Sequence, residues 1–160
     1  MALGKIKDLI SLGVWIAGLL LIGSIMGSLT KAEVHTWYET LNRSTLTPAN
    51  YVFGIAWTIL YVVIAVCGWV IWRQKEFPEL ACIKSVYIIQ LILNWSWTPL
   101  FFLYHRTGLS LVCLILLNIC VFLVIYFSYA NIRKVSLMMM PYLMWIMFAA
   151  YLNFYVWQHN

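Results

Sequence analysis

Residues 52–72 read VFGIAWTILYVVIAVCGWVIW, a run without a single charged side chain. At 1.5 Å per residue, about 21 such residues make a helix roughly 30 Å long, the thickness of the hydrocarbon core of a bilayer. A barrel strand would need about ten residues of strict in/out alternation, and this run is longer and does not alternate. Four further stretches have the same character: Leu9 to Leu29, Ala81 to Leu103 with Lys84 just inside its start, Leu109 to Tyr129, and Leu137 to Trp157. The chain of 160 residues therefore reads as an all-α integral membrane protein. Residues 1–160 form one domain, a five-transmembrane-helix bundle with spans at about 9–29, 52–72, 81–103, 109–129 and 137–157. Composition agrees, with 64% hydrophobic and 9% charged residues against the roughly 25% charged of a soluble domain, which excludes a water-soluble globule.

Five spans put the chain ends on opposite sides, so the basic residues fall into two sets. The N-terminal segment and the second and fourth loops hold Lys5, Lys7, Arg73, Lys75, Lys84, Arg133 and Lys134, while the first and third loops hold Lys31, Arg43 and Arg106. That asymmetry predicts a cytoplasmic N-terminus in a bacterial membrane. The first span has no small-x-small cleavage site after it and is read as part of the mature protein. No basic stripe exists, so no nucleic-acid partner is expected. Cys67, Cys82, Cys113 and Cys120 lie in or at the edges of spans without Cys-x-x-Cys spacing, and are read as small buried hydrophobes. His35, His105 and His159 lie at or beyond span ends, where none can be an axial haem ligand inside the bundle. No cofactor or metal is expected.

Thr30 to Tyr51 is the longest loop, and in it Trp37, Tyr38 and Leu41 fall at helical spacing. A short amphipathic turn lying over the mouth of the bundle as a lid is the expectation. Counted from the span ends, the unusual residues of the spans converge at one depth beneath it. Asn94, Trp97 and Thr98 share a face at i, i+3, i+4, with Trp95 beside them; Trp145, Ala149, Leu152 and Asn153 share another; Trp57 and Tyr61 make a third. An uncharged aromatic cavity with a few hydrogen-bonding groups suits a large, flat, apolar ligand. Interfacial aromatic belts and interhelical hydrogen bonds explain the same residues equally well from spacing alone. Pro99 removes a helix hydrogen bond at this level and predicts a kink or a widened turn. Pro141 falls in the first turns of the fifth span, where it is easily accommodated. Gly23, Gly27, Ser24 and Ser28 read as a small-residue face for close helix packing. With no Asp, Glu, His or Arg inside the spans, general acid-base catalysis and proton relays lack their groups.

Three stretches together resemble a known family. They are Trp37-Tyr38-x-x-Leu41-Asn42-Arg43 with Pro48 and Val52-Phe53-Gly54-x-x-Trp57-Thr58-x-Leu60-Tyr61; then Gln90-Leu91-x-Leu93-Asn94-Trp95-x-Trp97-x-Pro99-x-Phe101-Phe102; then Pro141-Tyr142-Leu143-x-Trp145-x-x-Phe148-Ala149-x-x-Leu152-Asn153. In this order they resemble the tryptophan-rich sensory proteins, also called translocator proteins or peripheral-type benzodiazepine receptors. The resemblance implies a five-helix bundle, a homodimer, and a pocket beneath the first loop. That pocket binds porphyrins, cholesterol-like lipids, and isoquinoline or benzodiazepine-type ligands. Carried over by position, it falls on Tyr38, Trp57, Asn94, Trp95, Thr98, Trp145, Ala149 and Leu152. It also implies a role in tetrapyrrole or stress signalling or transport, and residence in a bacterial membrane or, alternatively, the mitochondrial outer membrane.

Two departures stand out. The loop reads Arg43-Ser44-Thr45-Leu46-Thr47-Pro48-Ala49, short of two prolines and a tryptophan, so a looser lid is expected. The cholesterol motif has Phe154 in place of a tyrosine and Gln158 in place of an arginine, which argues against cholesterol. The leading reading is a membrane receptor or carrier for hydrophobic tetrapyrroles, with rings stacked on Trp57, Trp95 or Trp145 and hydrogen bonds from Asn94 and Thr98. One alternative is light- and oxygen-dependent porphyrin breakdown, in which the resemblance gives Trp57 and Trp145 the chemical role. The other is a regulatory membrane subunit that contacts another protein through its loops.

Overall fold

In hydrocarbon every backbone N–H and C=O must find its partner within the chain, so long apolar segments have to become helices. The computed structural model describes residues 2–160, with side chains from residue 4, and contains five such helices. They are α1 (Ala2–His35), α3 (Asn50–Trp72), α4 (Leu80–Thr98), α5 (Thr107–Asn131) and α6 (Arg133–His159), with a single turn α2 (Trp37–Thr40) between the first two. The five-span bundle predicted from the sequence is thus observed.

Helix ends run further than the charge-free stretches. α1 does not stop at Leu29 but continues to His35. No glycine or proline interrupts Lys31 to His35, and a helix that has left the hydrocarbon loses nothing by carrying charge. At 34 residues α1 is about 51 Å long, so its last turns stand beyond the bilayer core. α6 likewise begins at Arg133, which leaves Pro141 inside the helix and not in its first turn. Its missing N–H is accommodated at an exposed position of a helix held on both sides by neighbours.

The core is a continuous cluster drawn from all five long helices, including Leu19, Ile64, Tyr87, Leu117 and Tyr142. α5 packs between α4 and α6, while α1 lies outside, chiefly against α3. α1 is pinned near its start by Asp8 to Arg73 (2.6 Å) and by the Trp69 indole N–H donating to Ser11 Oγ (2.7 Å). Trp15 then packs on Trp72 and Tyr87 at centroid distances of 5.3 and 6.3 Å. Gly68 permits that approach, because a Cβ there would collide with the Tyr87 hydroxyl and the Trp15 ring. The opposite face of α1, with Leu9 and Val14, is exposed, as expected of a surface turned to lipid.

Candidate ligand-binding site

The widening expected at Pro99 takes the form of a π-helical turn, Pro99–Leu103, closed by the Tyr104 N–H donating to the Pro99 carbonyl (3.0 Å). The wide turn sets Phe101 and Phe102 edge to face at 4.9 Å, beneath α2. Tyr38, 7% exposed, packs on both rings. The α4–α5 connection then passes through His105, held with φ 52°. Its ring stacks on Trp37 at 4.0 Å and its Nε2 lies 3.1 Å from Glu33 Oε2. One residue thereby ties α1, α2 and the end of α4 together.

Under α2 lies a cavity of about 410 Å³, within the roughly 300–1,000 Å³ usual for small-molecule sites. α3 contributes Phe53, Gly54, Trp57 and Tyr61; α4 and its π turn contribute Asn94, Trp97, Thr98, Phe101 and Phe102; α6 contributes Ala149, Leu152, Asn153 and Val156. Trp57 is the central ring, 5.8 Å from Tyr61, 6.3 Å from Trp97 and 6.4 Å from Tyr142. Six of the eight positions drawn from the sequence, Tyr38, Trp57, Asn94, Thr98, Ala149 and Leu152, line this one space. Trp95 and Trp145 do not reach it. Trp95 packs against the core cluster, and Trp145 stands behind Phe53, ring to ring at 5.9 Å. Both indole N–H groups are buried without a partner among the described residues.

The fourth wall is α1, and spacing arguments missed it. Gly23 is the close-packing residue its sequence context suggests, since a Cβ would fall 2.5 Å from the Tyr61 ring. Gly27 and Gly54 meet nothing within 4 Å, and with Ser24 and Thr58 they leave the α1–α3 side of the cavity thinly walled. Lys31 and His35, counted as loop residues when α1 is ended at Leu29, also line the cavity at its mouth. The site is therefore apolar inside and charged at the rim, not uncharged throughout.

The polar residues of the cavity are largely committed to holding helices. Asn94 accepts from the Tyr61 hydroxyl (2.8 Å) and donates to Tyr142 Oη (2.8 Å), whose own hydroxyl donates to Gln90 Oε1 (3.1 Å). Asn153 accepts from the Trp97 indole N–H (3.1 Å) and the Ser110 hydroxyl (2.8 Å), and donates to the Thr107 carbonyl (2.7 Å). Two asparagines thus join α3, α4, α5 and α6, and the second fixes the Trp97 ring that faces the cavity. Thr98 has no side-chain hydrogen bond among the described residues.

Beside the cavity, residues 41–49 shape a polar hollow of about 630 Å³ bordered by Glu39, Arg43, Asn50 and Tyr155; Asn50 belongs to both spaces. The loop is anchored to the end of α6, where the Asn42 N–H donates to Asn160 Oδ1 (2.9 Å) and Asn160 Nδ2 donates to the Asn42 carbonyl (3.2 Å). Burial raises the Tyr38 hydroxyl above the ordinary phenol range, and the Arg43 guanidinium over its ring draws it partly back.

Five spanning helices around an aromatic cavity define a multi-pass membrane protein of the receptor or transporter kind. Relatives agree over nearly the whole length. The chain is 37% identical over 145 residues to the tryptophan-rich protein TspO of Archaeoglobus fulgidus, covering 91% of this chain and 94% of that one. It is 31% identical over 125 residues to protein CrtK of Rhodobacter capsulatus, covering 78% of each. With the human translocator protein it shares 30% over 142 residues, 87% of this chain and 84% of that one. The profile of the TspO/MBR family matches residues 15–158, and the chain belongs to that family.

Proposed function

We propose that this protein is a membrane receptor or carrier for flat, hydrophobic small molecules. Tetrapyrroles such as protoporphyrin are the principal ligands, and isoquinoline or benzodiazepine-type compounds use the same space. The observation that supports this most directly is the cavity itself: about 410 Å³, walled by Trp57, Phe53, Trp97, Phe101 and Phe102, with no charged group among the described residues deeper than the rim. Offset or edge-on aromatic pairs contribute about 0.5–1.5 kcal/mol each beyond the area they bury, enough to orient a ring system against Trp57. Residues 36–49 serve as its lid. The protein works as a homodimer, with its N-terminus cytoplasmic in a bacterial membrane, so that the cavity mouth faces the opposite side.

The test is a tryptophan-fluorescence titration of detergent-purified protein with protoporphyrin in the dark, corrected for inner-filter absorption. The affinity read from saturable quenching should weaken about two- to tenfold in Trp57→Leu, the loss of one stacking partner. Trp145→Phe, one layer behind the wall, should change it less. Linear quenching indifferent to Trp57 would mean partition into micelles, and the reading would fall.

A further inference from the structure

We infer that His105 is a proton-operated clasp on the lid: protonated, it draws the end of α1, α2 and the π turn together over the cavity, and neutral, it lets residues 36–49 loosen. The inference rests on the reading of those residues as a lid and adds how the lid is governed. Two contacts of one ring carry it. The imidazole lies on the Trp37 indole, with centroids 4.0 Å apart and planes 15° from parallel, while its Nε2 stands 3.1 Å from Glu33 Oε2. Both contacts answer to the charge of the ring in the same direction. An imidazolium over an indole face gains a cation–π attraction that a neutral ring lacks, and a hydrogen bond to a carboxylate becomes an ion pair.

The His105 side chain is 41% exposed, so protons from the medium reach it, and free imidazole changes charge between about pH 5 and 8. Charged and titratable groups on the elements around it are few. α1 brings Glu33, with Lys31 and His35 on either side of it in sequence; α2 brings Tyr38 and Glu39, and Arg43 follows. The π turn leads into Tyr104, Arg106 precedes α5, and α6 ends in His159, whose ring stacks on Tyr155 at 4.1 Å. Among the described residues Glu33 is the one acid within ion-pair distance of His105. Glu39 pairs instead with His35, at 3.4 Å across the α1–α2 corner, so the second pair works in the same sense as the first. With both imidazoles neutral, the corner keeps two carboxylates with no cation paired to either among the described residues, and acid supplies the cations. Closure is therefore strongest below the imidazole range and weakens as pH rises through it.

Hydrogen exchange of residues 36–49 in the ligand-free, detergent-purified protein, at about pH 5.5 and about pH 8, tests this. Each rate is divided by that of unstructured chain at the same pH, which removes the hydroxide dependence of exchange itself. Protection in the wild type should be about three- to tenfold greater at the acid end, the sum of one exposed ion pair and one cation–π contact. Variants assign the change to its ring. His35→Gln combined with His159→Gln should keep most of it. Glu33→Gln leaves a hydrogen-bond acceptor for the ring but no ion pair, and should reduce it. His105→Arg puts a planar cation in the same place that stays charged at both pH values, so its protection should be equal at the two, whatever a positive φ costs an arginine there. Equal protection of the wild type at the two pH values would overturn the clasp. So would a change that vanishes with His35 and His159, or one that survives in full in His105→Arg. Because no ligand is present, the result stands apart from the protoporphyrin titration. Saturable binding without the pH response leaves the binding function and removes the clasp; the pH response without saturable binding leaves a clasp on a loop that is no lid.

Discussion

The hydrogen-bond chain Tyr61–Asn94–Tyr142–Gln90 should behave as a clamp for the bundle more than as a contact for ligand. Asn94 is 2% exposed and engages a hydroxyl on α3 and another on α6, both at 2.8 Å. Side-chain hydrogen bonds between membrane helices average about 0.6 kcal/mol and reach about 1.7. Tyr61→Phe removes one of these bonds and should cost about 0.6–1.7 kcal/mol; Asn94→Leu removes two and should cost about 1–3. The informative quantity is the coupling, because in the double variant the Tyr61–Asn94 bond can be lost only once. Combined losses should fall short of the sum of the single ones by about 0.6–1.7 kcal/mol, measured by circular dichroism during reversible unfolding in mixed micelles. The same series with Tyr142→Phe should give a second coupling of similar size on the other amide atom. Strict additivity in both cycles would refute the clamp. Stability unchanged by Asn94→Leu, with ligand affinity lost, would return Asn94 to the role of a direct ligand donor.

Gly68→Ala puts a methyl group into the Tyr87 hydroxyl and the Trp15 ring, and should cost about 1–3 kcal/mol of stability by thermal melting, with α1 freed from α3 at that level. His105→Asn keeps a residue that tolerates positive φ but deletes the ring stacked on Trp37; limited proteolysis within residues 41–49 should become faster while helix content is unchanged. Because burial raises the Tyr38 hydroxyl, the unfolded chain loses that proton first as the medium becomes alkaline. Stability from this group is complete below about pH 10 and is lost as pH rises beyond it. Comparing wild type with Tyr38→Phe through this range should show the wild type losing the more, and equal losses would count against the buried position of Tyr38.

Which parts of this architecture can be read from the sequence follows from how local each cause is. Spans are set by length and the absence of charge, so the five helices are visible in advance; their ends are not, because Lys31 to His35 satisfies helix rules as well as loop rules once outside the hydrocarbon. Faces are set by 3.6-residue periodicity, which brought Asn94 with Thr98 and Ala149 with Leu152. Trp95 follows Asn94 by one residue, about 100° around the helix, and turns away. Trp145 shares the face of Ala149 but lies one turn deeper, and Phe53 of another helix intervenes. Nothing within α6 could announce that. The α1 wall was illegible for a similar reason. Gly23 and Gly27 look identical in sequence, yet one meets a tyrosine ring and the other meets open space, a difference that belongs to α3.

The thin α1–α3 side, where Gly27 and Gly54 carry no side chain to fill the gap, bears on what an affinity for this site means. A flat apolar ligand beside such a protein is dissolved in acyl chains and not in water, so its transfer into the cavity exchanges one oily solvent for another. The hydrophobic effect, already spent on entering the bilayer, then contributes little to discrimination. Selectivity has to come from shape, ring stacking and charge at the rim. A dissociation constant for this protein is better expressed as a mole fraction in lipid than as a molarity, and two laboratories using different lipid-to-protein ratios would report different aqueous values for the same binding event.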